Sequence, residues 1–189
     1  MKLQEIDWRL SSTNRIFQAL SDGLKDVGCD FGESQEAYQI DDALEHTESL
    51  LGMAFVTAQT YIAGTVSDAN QLMGAGGRLT KEQLLKDYGD RLAETAVTKV
   101  ELCDAIANYF KHHDEWTSWS TMGRNQKTVS ILRAAGLQEN DEFPCRKAAD
   151  ILWSNSGSVL VLSWSFQTVG RSKRVFSNPD THPTTRFRF

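Results

Sequence analysis

The chain has 189 residues, of which 40% are hydrophobic, 24% charged and 10% aromatic, the balance of a globular, water-soluble protein. A chain of this size buries roughly 70% of the surface that its unfolded form exposes, so one core suffices without disulfides or metal. Its three cysteines lie far apart and form no CxxC pair, which argues against a disulfide framework and a zinc site. The net charge of −5 combines two segments of opposite sign.

Apolar residues recur at helical spacing along the first two thirds of the chain. The spacing predicts a first helix from about Ile6 to Val27 and a long helix over about 35–72. The glycine-rich sequence GAGGR follows, and we expect it to form a hairpin loop. Thr80 and Gln83 then form a capping-box pattern at the start of a second long helix, over about 80–116.

Shorter helices are predicted in the remainder of the chain. One runs from about Asn125 to Ala135 and ends at Gly136, because glycine tolerates a positive φ. Another begins at Pro144, a residue favoured at helix starts, and continues toward Trp153. The valine-rich sequence SVLVLSWSFQTV has some strand character, but we assign it to helix because a lone strand would have no partner.

These elements predict an all-α fold, a helical bundle built on a long antiparallel hairpin of about 35–72 and 80–116 with three or more shorter helices. We expect a single helical domain over 1–170 and a basic, proline-containing tail over 171–189. The longest apolar stretch falls short of about 20 lipid-compatible residues, so it predicts a buried helix rather than a membrane span. With no secretory signal at the N-terminus, we expect a cytoplasmic protein.

The segment from Asp22 to Glu48 holds nine acidic residues and one lysine, a net charge of −8. Such a charge repels nucleic acid and attracts a basic protein. The leading interpretation is a non-enzymatic acidic protein that neutralises a basic toxin such as a nuclease, in the manner of immunity proteins and antitoxins. The other interpretation is an ordinary solvated acidic face. The candidate partner-binding residues are Asp26, Asp30, Glu33, Glu36, Asp41, Asp42, Glu45 and Glu48.

A second cluster, ANYFKHHDEW, ends the second long helix. Helical spacing places Asn108, Lys111 or His112, and Glu115 on one face, so an amide, an imidazole and a carboxylate can meet at one ligand and move a proton. The alternative is that Lys111, His112 and His113 are cations favoured in the last turn of a helix, followed by solvated acids.

This cluster on a long antiparallel hairpin resembles the HEPN superfamily of helical prokaryotic proteins. Many members are metal-independent ribonucleases of toxin–antitoxin and phage-defence systems, with an Arg, a following polar residue such as Asn, and a His a turn further on. Their hairpins often pair, which implies a homodimer as one assembly. Ala107 stands at the Arg position, which favours an inactive or repurposed member. The residues implied for phosphate and proton handling are Asn108, Lys111, His112, His113 and Glu115.

The tail over 171–189 carries five basic residues and one acid. In the ribonuclease interpretation it grips RNA. In a third interpretation, the protein is a structural or adaptor subunit, and its tail binds a partner through Phe187 and Phe189 of the sequence TTRFRF. In addition, the general character of the chain is similar to that of immunity proteins of contact-dependent inhibition systems. We predict no metal, no cofactor and no membrane partner in any of these interpretations.

Overall fold

The computed structural model describes residues 7–29, 37–73, 80–87, 89–116, 118–119 and 123–154. These residues contain six α-helices, a short 3-10 helix and no β-strand, so the all-α prediction is confirmed. The helices are α1 (Trp8–Cys29), α2 (Ala37–Met73), α3 (Lys81–Asp87), α4 (Lys99–His112), α5 (Gln126–Ala134) and α6 (Pro144–Ser154). The predicted GAGGR loop, the predicted helix at Ser158–Val169 and the tail over 171–189 lie outside the described residues.

The central helix is α2, because α1, α3, α4 and α6 all pack against it. Its apolar residues belong to two hydrophobic clusters. Leu51 and Phe55 join the cluster formed with α4, α5 and α6, whereas Ala58 and Ile62 join the cluster that includes Phe17 of α1. A helix that is apolar over so wide an arc needs neighbours on more than one side.

The amphipathic helix α1 runs antiparallel to α2. Near its start, Arg9 forms an ion pair with Asp68 and donates a hydrogen bond to the carbonyl of Gly64 (3.3 Å). Near its end, Gly23 lies against Leu50. The start of α1 therefore lies beside the second half of α2, and the end of α1 lies beside the first half of α2.

The second arm of the predicted hairpin is two helices, so the prediction of one helix over 80–116 is corrected. The capping box of Thr80 and Gln83 is present at α3, and a second box of Thr98 and Glu101 starts α4. Between them Glu94 has a φ of +61°, which an α-helix does not contain. The two helices still form one arm, because the buried Thr98 hydroxyl donates to the carbonyl of Leu85 (2.6 Å).

The helix α4 runs antiparallel to α2, as the predicted hairpin requires. Gly52 of α2 faces Phe110 near the end of α4, whereas Gln59, two turns later, bonds Asp104 nearer its start. The hairpin arrangement of the two arms therefore follows from side-chain contacts along both helices.

The end of α5 is the glycine stop that the sequence predicts. Gly136 has a φ of +95°, its amide donates to the carbonyl of Arg133 and the next amide, of Leu137, donates to the carbonyl of Leu132 (both 3.0 Å). This is the Schellman arrangement. Leu132 and Leu137, the residues at its two ends, are both buried in the core.

The part of α2 over Ile40–Gln71 is long and apolar enough to cross a membrane by length and composition alone. In the fold, 56% of its most apolar window is buried inside the protein. A core helix of a soluble protein has this character, and the structure is compatible with a soluble protein.

Two glycines give a matched test of the packing on α2. A Cβ at Gly52 would lie 2.2 Å from the Phe110 ring, whereas one at Gly23 would lie 3.5 Å from Leu50. We expect Gly52→Ala to lower the free energy of unfolding by about 1–2 kcal/mol despite the better helix propensity of alanine. We expect Gly23→Ala to raise it by up to about 1 kcal/mol. Urea denaturation of both variants measures the difference, and equal midpoints would contradict the close approach of α2 and α4.

Candidate functional site

The cluster at the end of α4 divides into two hydrogen-bonded groups. Asn108 and Lys111 bond to Gln59 of α2. His112 bonds instead to Glu115, with 3.3 Å between Nδ1 and Oε1, and both side chains are exposed. The helix α4 ends at His112, and Glu115 lies in the 3-10 helix His113–Glu115, so the polar groups predicted to share one helix face bond to different partners.

Gln59 is the centre of the first group and is only 7% exposed. Its Nε2 donates to Asn108 Oδ1 (2.8 Å) and to Asp104 Oδ1 (2.7 Å), and its Oε1 accepts from Lys111 Nζ (2.6 Å). Asp104 also forms an ion pair with Lys81 of α3 at 2.5 Å. The buried Gln59 amide thus joins α2 to α4, and Asp104 extends the network to α3 through Lys81. A buried polar group is stable only when its hydrogen bonds are made.

The sequence contains only a weak signal for this network. Gln59 is a polar residue within the apolar stretch of α2, and Asp104 is an acid between the apolar residues Cys103 and Ala105 of α4. Neither is recognisable as a pair from spacing along the chain, because 45 residues separate them. The two residues that organise the site were therefore absent from the predicted set.

The second group contains the titratable side chains that reach solvent. His113 Nε2 lies 3.1 Å from Asp114 Oδ1, and its Nδ1 lies 3.0 Å from the carbonyl oxygen of Phe110. Its ring packs beside those of Tyr109 and Phe110, with centroids 5.5 and 6.3 Å away. Burial raises the pKa of Tyr109 above its ordinary value, so this phenol stays protonated at neutral pH.

An exposed imidazole paired with a carboxylate can accept and return a proton near neutral pH. Phosphate chemistry also needs a cation that holds the phosphate. Ala107 is fully buried, and Lys111 is exposed and donates to Gln59. Within the described ranges of the chain, no group of three or more His, Cys, Asp or Glu side chains is arranged to hold a metal ion.

Four of the eight predicted partner-binding residues lie where α1 ends and α2 begins. Asp41, Asp42 and Glu45 are exposed on the first turns of α2, and Asp26 is exposed near the end of α1. The antiparallel packing of α1 and α2 brings these four carboxylates to the same end of the pair. We call Asp26, Asp41, Asp42 and Glu45 the acidic face. Asp30, Glu33 and Glu36 lie outside the described residues.

The one lysine of the acidic segment is engaged with a neighbour. Lys25 Nζ bonds Asp22 Oδ1 at 2.9 Å, and this bond lowers the pKa of Asp22 below its ordinary value. Lys25 is thus paired with Asp22, which is not part of the acidic face, and His46 Nδ1 lies 3.7 Å from Asp42 Oδ2.

Glu48 was expected at the partner surface, and the structure gives it a structural role. Its Oε1 accepts from the amide of Cys145 (2.6 Å) and its Oε2 from the amide of Arg146 (2.9 Å). A carboxylate at a helix N-terminus satisfies unpaired amides and is attracted by the positive end of the helix dipole. Glu48 therefore fixes the start of α6 against α2.

No protein-family model, curated protein or solved structure matches this chain. Its function is therefore argued from the residues described above.

Gln59→Ala removes the buried amide that links α2 to α4. We expect it to lower the free energy of unfolding by about 2 kcal/mol, because Asn108 and Asp104 lose a buried hydrogen-bond partner. Gln71→Ala, at an exposed position near the end of the same helix, is the control and should change stability by no more than about 0.5 kcal/mol. Chemical denaturation gives both values, and similar losses in the two variants would show that the network contributes nothing beyond helix propensity.

Proposed function

We propose that this protein is a non-enzymatic binding protein that neutralises a basic toxin, of the nuclease class, in the manner of an immunity protein or antitoxin. The observation that carries the proposal is the acidic face, a set of exposed carboxylates from two helices at one end of the bundle. The two helices that carry it, α1 and α2, pack against each other in the structure, so neither has to fold when a partner binds.

The charge of this surface suits a nuclease as partner. A nuclease binds the phosphates of its substrate with lysine and arginine side chains. Carboxylates carry a negative charge and accept hydrogen bonds, as phosphates do, so they can bind the same side chains. Opposite charges also accelerate the encounter of the two proteins, which is valuable when a toxin must be captured before it acts. We place this encounter in the cytoplasm.

The HEPN-like ribonuclease is the second candidate, and the exposed pair of His112 and Glu115 is the observation that favours it. It is the weaker candidate for two reasons. The buried Ala107 supplies no guanidinium, and the ammonium of Lys111 is hydrogen-bonded to Gln59. The homodimer implied by the family resemblance, and docking through the tail, remain predictions.

Charge reversal at the acidic face tests the leading proposal. We expect Asp41→Lys combined with Asp42→Lys to slow association with the captured basic partner by tenfold or more at low salt, because each change replaces an attraction with a repulsion. The partner is obtained by a tagged pull-down from the native source at moderate salt, identified by mass spectrometry, and its association rate is measured by surface plasmon resonance.

Asp87→Lys combined with Glu94→Lys provides the matched control. These two exposed acids belong to the segment around α3, at the far end of α2 from the acidic face, and give the same change in net charge. The control should alter the association rate by less than about threefold, since screening limits charge effects over that distance. Equal slowing by both double variants would mean that net charge, and not the acidic face, determines binding.

A growth assay tests the ribonuclease candidate. If it is correct, expression of the wild-type chain alone inhibits growth and degrades cellular RNA, and His112→Ala relieves both effects. His46→Ala, which removes an exposed histidine from α2, is the control and should leave the toxicity unchanged. Under the leading proposal all three chains are harmless at high expression.

A further inference from the structure

Glu48 belongs to the acidic side of α2 and also holds the first turn of α6. Asp41, Glu45 and Glu48 are spaced at i, i+4 and i+7, which places them on one side of the helix. The Glu48 carboxylate accepts hydrogen bonds from the amides of Cys145 and Arg146, 97 and 98 residues further along the chain. One side chain is thus shared by the acidic surface and the α2–α6 junction.

We propose that Glu48 couples the acidic face to α6, so that a cationic group bound beside Glu45 draws the Glu48 carboxylate from the α6 amides and loosens that helix. The proposal rests on the proposed function, because the basic partner supplies the cation. A helix N-terminus carries about half a positive charge, whereas a lysine or arginine carries a full one. Residues at i and i+3 of a helix have Cβ atoms about 5–6 Å apart, so a cation on Glu45 reaches the Glu48 carboxylate as well.

The chain carries its own reporter of this change. Cys145 follows the first residue of α6 and is fully buried in the cluster formed with α2 and α4. Burial and the adjacent Glu48 carboxylate raise the pKa of the Cys145 thiol, so it is unreactive while α6 is docked. Cys103, buried in α4 and part of the same cluster, becomes accessible only when the core itself opens. Labelling of the two cysteines therefore distinguishes local from global opening.

The first test compares two single variants of the full chain by iodoacetamide labelling, with mass spectrometry to resolve each cysteine. Glu48→Gln removes the charge that caps α6, and we expect it to raise the labelling rate of Cys145 about tenfold, the effect of losing a typical helix cap, with Cys103 unchanged. Glu94→Gln makes the same charge change at an exposed position between α3 and α4 and should leave both rates unchanged. An unaltered Cys145 rate in Glu48→Gln, or an equal rise at Cys103, would overturn the proposal.

The second test adds an octa-arginine peptide at low salt and measures its binding separately by calorimetry. In the wild-type chain we expect the bound peptide to speed labelling of Cys145, and high salt to abolish the effect. In Glu48→Gln the peptide should produce no further increase. Binding without any change in the Cys145 rate would overturn the coupling alone and leave the proposed function intact. Failure of the peptide to bind would count against both.

Discussion

The burial of α2 on several sides at once is the constraint on which the remaining structure depends. A 37-residue helix with so wide an apolar surface is not stable alone in water, and each neighbour covers a different arc of it. The helix α1 covers the arc around Tyr61, and α4 covers the arc around Phe55. The length of α2 then determines the spacing between the two ends of the bundle, and with it the separation of the acidic face from the segment around α3.

Two polar residues of α2 give this packing its register. Gln59 and Glu48 each bond to groups on helices that are distant in sequence, and each would be left with unsatisfied polar atoms by a shift of one turn. Apolar contacts alone tolerate such shifts, because leucine and alanine side chains can repack at similar cost. The burial of Tyr61, whose hydroxyl donates to Asp7 at 2.7 Å, has a similar effect on α1.

Most single helices could be predicted from the sequence, but the contacts between side chains of different helices could not. The bounds of α1, α2, α5 and α6 were predictable to within a few residues from apolar spacing together with residues such as Gly136 and Pro144. The break between α3 and α4 was not, because Leu92, Ala96 and Val100 continue the four-residue spacing of apolar positions through the irregular segment. The composition of the candidate site was predictable only in part. Asn108 and Lys111 were identified, but their partner Gln59 and the cap formed by Glu48 depend on tertiary packing that spacing does not encode.

The way α1 is fastened to α2 affects the mechanics of the acidic face. The ion pair of Arg9 with Asp68 and the hydrogen bond of Tyr61 to Asp7 lie at the start of α1, whereas toward its end Leu20 and Leu24 pack among apolar side chains. A helix anchored by polar bonds at one end pivots about that end, so small tilts are magnified where Asp26 lies. The distance between the carboxylates of α1 and those of α2 can then adjust to partners of different width. Backbone amides that exchange hydrogen slowly with solvent should therefore be concentrated in the first half of α1, which contains Arg9 and the buried Phe17.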